Sequence, residues 1–262
     1  MNREAPQPLV QETQDGAVLT LTLGAMPAHP LSLAMIRAML EALDRCAANP
    51  DVRVVVLRAP GHIFCAGHDL KEIARHRADA DDGAAYLHEL FEACAQMMQA
   101  IVLLPQPVIA MVEGIATAGG LQMMASCDVA FATPTATFCL PGVQNGGFCT
   151  TPSVAVGRVI GRNALMEMAL SGEYFDAEWA RTAGLINRII PADQIEVETY
   201  AFAHKIARGN ARALAAGKRM VYQQLEMPLT QAYEAATETM IGHFMDPERI
   251  ALERETWGKK AT

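Results

Sequence analysis

Positive charge is in short supply in this chain. Lys and Arg total 21 against 29 Asp and Glu, a formal net charge of −8. A broad cationic face for nucleic acid or anionic lipid is therefore excluded as a working expectation. Aromatic side chains make up only 6% of the residues, too few for a base-stacking platform. No apolar run reaches the ~20 residues that a bilayer requires. The most apolar stretch, 101–112, is broken by Pro105, Gln106 and Pro107 and stops at Glu113. The opening MNREAPQPLV has neither an apolar signal core nor an Arg/Ser-rich amphipathic pattern. Six cysteines, Cys46, Cys65, Cys94, Cys127, Cys139 and Cys149, are scattered without a CxxC pair. That spacing predicts free thiols, no zinc site and no disulfide frame, and with the absent leader it predicts a cytoplasmic protein.

What is present is apolar content: 51% of 262 residues. This is enough for a sizeable core and too much for a disordered chain. The apolar period alternates between strand and helix. Residues 18–23 (VLTLTL) alternate strictly, as a half-buried strand does. Ser32 reads as an N-cap, followed by Met35, Ile36, Met39, Leu40 and Leu43 at helical spacing. Residues 52–57 (VRVVVL) and 108–112 (VIAMV) read as strands buried on both faces. Helices are expected over 71–77, 86–103 and 119–127, a strand over 129–132, and mostly helix from Asn163 onward. Strand and helix in alternation imply an α/β fold, a parallel sheet with crossover helices. The polar helical tail from Pro228 has too few apolar residues for its own core. It is expected to pack on the main body or on a neighbouring subunit.

Two glycine clusters stand out. Residues 64–72 (FCAGHDLKE) follow the 52–57 strand, and residues 113–120 (EGIATAGG) follow the 108–112 strand. Each precedes an expected helix. Gly67 permits an unusual turn, and Gly119 and Gly120 leave a helix start bare of side chains. The spacing matches neither a dinucleotide fingerprint nor a Walker loop. Each cluster taken alone fits a plain structural turn. Taken together they can supply two converging N–H donors, an oxyanion hole for a carbonyl that gains negative charge, as a thioester does on enolisation.

Residues 54–57 with 64–72 resemble the first signature of the crotonase, or enoyl-CoA hydratase/isomerase, superfamily. Residues 107–114 (PVIAMVEG) with Gly119-Gly120 and Ser126-Cys127-Asp128 resemble the second. Gly161-Arg162, Ser171-Gly172, Ala183–Asn187 and Pro191 are similar to the segment that follows the active site. AGHDL, GIATAGG and LPGVQNGGFCTTP place the likeness nearer a side branch than the standard mitochondrial hydratase. The resemblance covers about residues 15–225. It implies a ββα spiral core over 1–200 and a helical trimerisation region over 201–262. It further implies a homotrimer, or a hexamer of paired trimers, acting on an acyl-CoA thioester. Coenzyme A enters as part of the substrate and no prosthetic group or metal is expected. By the same resemblance the oxyanion donors are the backbone N–H groups of His68 and Gly119. Backbone around Cys65, Ala66 and His68 meets the adenine end of CoA, and Lys71, Lys259 or Lys260 reaches its phosphates.

The chain departs from that pattern where protons move. One hydratase carboxylate falls at Gln122, a second at Gly142, and a third acidic position of related enzymes falls at or beside Cys149. Hydration needs an acid and a base, and an amide supplies neither. Candidates to compensate are the His68 side chain, Glu113, and His88, Glu89 or Glu92 on the 86–103 helix. Each has a plainer reading as packing or solvated surface. Cys149 has one as an inert buried thiol, and Asp69 and Asp128 have one as turn and cap acceptors.

Overall fold

The computed structural model describes residues 8–257. Strands β1 (Val10–Asp15) and β2 (Val18–Leu23) pair antiparallel around Gly16, whose φ of +55° suits a residue without Cβ. Helix α1 (Leu33–Ala48) starts at Ser32, whose Oγ accepts from the Met35 N–H at 3.1 Å. Its buried face is Met35, Ile36, Met39, Leu43 and Cys46, the helical spacing seen in the sequence.

The next segments repeat one plan. A buried strand is followed by a three-residue strand, and then by helix. The first turn of the spiral has β3 (Val54–Arg58), β4 (Ile63–Cys65), α2 (Leu70–His76) and α3 (Ala84–Leu103). The second has β5 (Val108–Val112), β6 (Ile115–Thr117) and α4 (Gly119–Ala125). The third has β7 (Val129–Ala132), β8 (Thr137–Cys139), a 3₁₀ turn at Pro141–Asn145, α5 (Thr150–Val156) and α6 (Arg162–Ser171). It is followed by β9 (Phe175–Asp176), α7 (Ala177–Ala183), β10 (Arg188–Ile189) and α8 (Ile195–Ala207). The first strands join β1 and β2 in a six-stranded sheet, order β1-β2-β3-β5-β7-β10, parallel except for β1. The short strands make a second sheet, order β4-β6-β8-β9.

Residues 54–57 and 108–112 are apolar throughout because both faces of the main sheet are covered. Val55, Leu57, Val108 and Ala110 join one core cluster with α1 and α3. Val54, Val56, Ile109 and Met111 join the other, with Ile195, Ala203 and Ala207 of α8. Burial of each Val, Leu or Ile is worth roughly 1.5–3 kcal/mol, so the register of the central strands is strongly fixed.

The second strand of each turn is expected only from the family resemblance, because three residues are too few for a period of two to register. The region after Asn163 is mostly helical, as expected, with the two-residue strands β9 and β10 between its helices.

The chain forms two compact units that divide after Arg208. The expected boundary at residue 200 falls inside α8, whose buried residues belong to the core of the first unit. The second unit contains α9 (Ala211–Gln224), α10 (Leu229–Phe244) and α11 (Pro247–Thr256). Asn210 and Asp246 cap α9 and α11, and Asp246 also accepts from Arg212 Nε at 2.8 Å. Few of its apolar residues are covered, Met220 and Ala232 being buried. Among the described residues no helix is long and apolar enough to cross a membrane.

Candidate active site

The first glycine turn joins β4 to α2. Cys65 is fully buried. Its Sγ donates to the His29 carbonyl at 3.1 Å, and burial pushes the thiol up to about 12. The Ala66 N–H is taken by Ala28 O at 3.0 Å. Gly67 then adopts φ +84°, and residue 68 runs beside Leu31 as an isolated parallel bridge. The bridge uses Gly67 O, which accepts from Leu31 N at 2.8 Å, and the Asp69 N–H, which donates to Leu31 O at 3.3 Å. Alternation along an extended segment turns the His68 N–H to the other side, and among the described residues it meets no acceptor. Asp69 caps α2 by accepting from Lys71 N at 2.9 Å and Glu72 N at 3.1 Å. Its role is structural, as the sequence suggested. The Lys71 side chain is exposed.

The second turn joins β6 to α4. Ala118 takes φ +49° and ψ −120°, and donates its N–H to Cys139 O at 3.0 Å. An L-residue is strained there by about 1–3 kcal/mol. The result is a helix that opens at Gly119 with no side-chain cap, and the Gly119 N–H has no acceptor among the described residues. Gly120 is demanded by contact: a Cβ there would lie 2.2 Å from Cys65 O. Gly67 is demanded by its φ and by the neighbouring turn, since a Cβ on it would lie 3.0 Å from the Gly119 nitrogen. The two turns are therefore packed against each other, and both free N–H groups belong to one locality. All seven residues of α4 are buried, which fixes this helix start rigidly.

Side chains close the locality. The His68 imidazole stands beside Gly119, with Cε1 3.4 Å from where a Cβ would be. It meets the Phe91 ring edge-on at a centroid distance of 4.9 Å. Its Nε2 is buried without a partner, and burial lowers the imidazole to about 4, so it is neutral at physiological pH. Gln122 lies one turn along α4, 5% exposed, and its Oε1 is buried without a partner. Gly142 sits in the 3₁₀ turn with its N–H directed at Cys149 Sγ, 3.2 Å away. Burial raises the Cys149 thiol further, so it is held as an uncharged thiol. A Cβ on Gly142 would fall 2.5 Å from Cys149 N and 2.7 Å from the Phe148 carbonyl carbon. The 142–149 loop thus occupies the space in which a side chain at 142 would start.

The remaining candidates are elsewhere engaged. Glu113 pairs with Arg58 at 3.3 Å, and Arg58 also meets Glu196 at 3.3 Å. Glu89 pairs with Arg37, while His88 and Glu92 are exposed on α3. Asp128 Oδ2 accepts from Val108 N at 2.7 Å, the cap role expected of it. Lys259 and Lys260 lie outside the described residues. Among the described residues no group of three His, Cys, Asp or Glu side chains is arranged to hold a metal ion. Sequence reading missed Leu31, whose backbone aligns residue 68, and Phe91, which packs on the imidazole. It also missed Ala118, because alanine gives no sign of a positive φ.

The family model described as enoyl-CoA hydratase/isomerase matches residues 13–256. The mouse (Mus musculus) protein named enoyl-CoA hydratase domain-containing protein 3, mitochondrial, is 39% identical over 228 residues, 87% of this chain and 74% of that protein. A solved enoyl-CoA hydratase/isomerase family protein from Silicibacter pomeroyi shares 53% identity with a TM-score of 0.87, covering 90% of this chain and all of that one. A solved enoyl-CoA hydratase from Mycobacterium smegmatis shares 41% identity with a TM-score of 0.90, covering 97% of each chain. The chain belongs to the enoyl-CoA hydratase/isomerase family and has the crotonase fold.

Proposed function

We propose that this protein binds acyl-CoA thioesters and stabilises the thioester enolate between the N–H groups of His68 and Gly119. The observation that carries the reading is that both N–H groups lack acceptors and sit on two turns in contact at Gly67. When the α-proton leaves, charge moves to the thioester oxygen. Preorganised donors in a buried site hold that charge, each worth about 10²–10³ in rate. Residue 119 also opens a helix, though α4 is short and its dipole is a minor addition. The backbone around Cys65, Ala66 and His68 borders the CoA adenine in this reading, and exposed Lys71 reaches a phosphate. Coenzyme A is part of the substrate, and no prosthetic group is called for.

The proton chemistry differs from a standard hydratase. Gln122 orients a group without exchanging protons, and Gly142 contributes no side chain. Each lost acid or base function costs about 10²–10⁴. Isomerisation, thioester hydrolysis or retro-aldol cleavage through the enolate are the reactions this leaves, within fatty-acyl metabolism. A second reading is favoured by the uncharged lining of His68, Gln122 and Cys149: an acyl-CoA-binding protein that no longer turns substrate over. Calorimetry with acetyl-CoA and a long acyl-CoA, beside turnover assays on a thioester panel, tests both. Binding with turnover supports the enzyme, and binding without turnover supports the second reading. No binding of either thioester at millimolar concentration overturns both.

We also propose a homotrimer or a hexamer. The second unit leaves Leu225, Leu229, Tyr233, Met240 and Ile241 more than half exposed, an apolar load that self-association would cover. Light scattering that gives a monomer at micromolar concentration overturns this. The six free cysteines fit a reducing compartment, and we place the protein in the cytoplasm.

A further inference from the structure

Between β2 and α1 the chain runs as a strap, residues 24–31, along the segment that carries the first glycine turn. Its sequence is GAMPAHPL. Pro27 and Pro30 have no N–H, and His29 is the one side chain of the strap able to donate a hydrogen bond. His29 is wholly buried and takes φ +46°, a left-handed backbone that L-residues ordinarily avoid. Its Nε2 lies 2.9 Å from the Pro60 carbonyl oxygen. A carbonyl only accepts, so Nε2 carries the ring hydrogen and donates it. Nδ1 is then an acceptor, buried with no partner among the described residues, and an unmatched buried group opposes folding. Such strain persists only where the surroundings impose it, and it gathers at functional sites.

The surroundings here are the two glycine turns. The His29 carbonyl accepts from Cys65 Sγ at 3.1 Å. One residue earlier, Ala28 O accepts from Ala66 N at 3.0 Å. Two residues later, Leu31 forms the bridge that turns the His68 N–H away from the strap. The Leu31 side chain reaches the second turn as well, its Cδ1 standing 3.1 Å from where a Cβ on Gly119 would be. The strap therefore bears on both turns at once. The imidazole of His29 ties it to Pro60, ahead of β4, so the strap is held on both sides of that strand.

We propose that His29 is a positioning residue for the oxyanion hole: its Nε2–H, held on Pro60 O, fixes the strap so that the N–H groups of His68 and Gly119 converge on one oxygen. His29 acts through Leu31 and the 65–69 backbone, and touches neither substrate nor reacting atoms. The proposal rests on the thioester reading above and goes one step beyond it, to what sets the aim of the two donors.

The test reads the carbonyl stretch of butyryl-CoA, isotope-labelled at the carbonyl carbon, by infrared difference spectroscopy with protein in excess. Hydrogen bonds to a thioester oxygen weaken its C=O bond and lower this frequency, whether or not the protein turns the thioester over. His29→Gln keeps an amide N–H near the place of Nε2. His29→Asn tolerates the positive φ but is too short to reach Pro60 O. The expected result is a lowered frequency in the wild type, retained in His29→Gln and diminished by about half in His29→Asn, as one of two donors loses its aim. If His29→Asn fails to fold, His29→Gly, which also accepts the positive φ, provides the same comparison. A full downshift in folded His29→Asn or His29→Gly overturns the proposal, even with a lowered melting point, because the ring then supports the fold alone. An equal loss in His29→Gln and His29→Asn overturns it too, since the Nε2 donor would not matter. A wild type that fails to bind butyryl-CoA, or binds it without a downshift, is a different outcome and removes the oxyanion reading itself.

Discussion

A Cβ built on Gly67 would stand 2.9 Å from the Ala118 Cβ and 3.0 Å from the Gly119 nitrogen. Two loops about fifty residues apart in sequence therefore meet with no room for a methyl group between them. Gly67 also holds φ +84°, where an L-side chain is strained by about 1–2 kcal/mol. Gly67→Ala is expected to lower the unfolding free energy by at least that amount. It should also weaken thioester binding about tenfold or more, because pushing the turns apart separates the two N–H groups. Thermal unfolding and calorimetry on the same preparation check this. Unchanged affinity in a folded variant would mean the two donors do not act together.

The strain at Ala118 aims the next N–H. Ala118→Gly relieves the positive φ while adding freedom to the unfolded chain, and the first effect is the larger. A stability gain of about 0.5–1 kcal/mol is expected in denaturant titrations, with thioester affinity retained. Gly119→Pro has the opposite purpose, since proline has no N–H to donate. Proline at a first helical position is ordinarily tolerated, but the residue before it prefers extended ψ, which Ala118 does not have. Circular dichroism must therefore show a folded Gly119→Pro protein before its binding is judged. Its expected loss of any thioester turnover is about 10²–10³.

How far the sequence carried this depended on burial. The strands at Val54–Leu57 and Val108–Val112 are legible because both faces of the main sheet are covered, leaving no polar position to blur the run. The strands at Ile63–Cys65 and Ile115–Thr117 are not, since three residues carry no period and their pairing partners are distant. Gly67 and Gly119 announce themselves as glycines, yet their contact with each other is a property of the spiral. Gln122 is an ordinary helix residue by pattern. Only the family resemblance marked it as standing where a carboxylate belongs, and only the structure exposes its unmatched amide oxygen. The closure of the 142–149 loop on Gly142 depends on where the chain returns, which local composition does not encode.

His68 makes acid stability a test of the site. Burial lowers its imidazole from 6.5 to about 4. Between those values the unfolded chain binds a proton that the folded chain refuses. Stability is therefore complete above pH 6.5 and falls as the pH drops toward 4, by roughly 2–3 kcal/mol from this residue. In His68→Gln that component disappears, so the wild type should lose more stability than the variant over this interval. Other groups titrate in both proteins and cancel in the difference. Unfolding titrations between pH 4.5 and pH 8 check it. Parallel curves for the two proteins would mean that the imidazole is solvated and does not line a dry wall.

Hydration of crotonyl-CoA is expected to be very slow in the wild type, and the two obvious repairs should behave differently. Gln122→Glu changes one atom and supplies a carboxyl group beside Gly119. It should fold and gain little, because a second acid/base partner is still missing. Gly142→Glu looks from the sequence like the complementary repair, but its Cβ would meet the backbone at Phe148 and Cys149 at 2.5–2.7 Å. Backbone at that distance must shift, so this variant should melt well below the wild type and gain no activity, alone or combined with Gln122→Glu. The measurement is loss of the enoyl absorbance in all four proteins, beside their melting curves. A wild type that hydrates at about 10 s⁻¹, an ordinary enzyme rate, would require another proton-transfer group. Glu113 and Glu92 would then be the residues to replace next. A stable and active Gly142→Glu protein would show that the 142–149 loop opens readily and that its closure does not decide the chemistry.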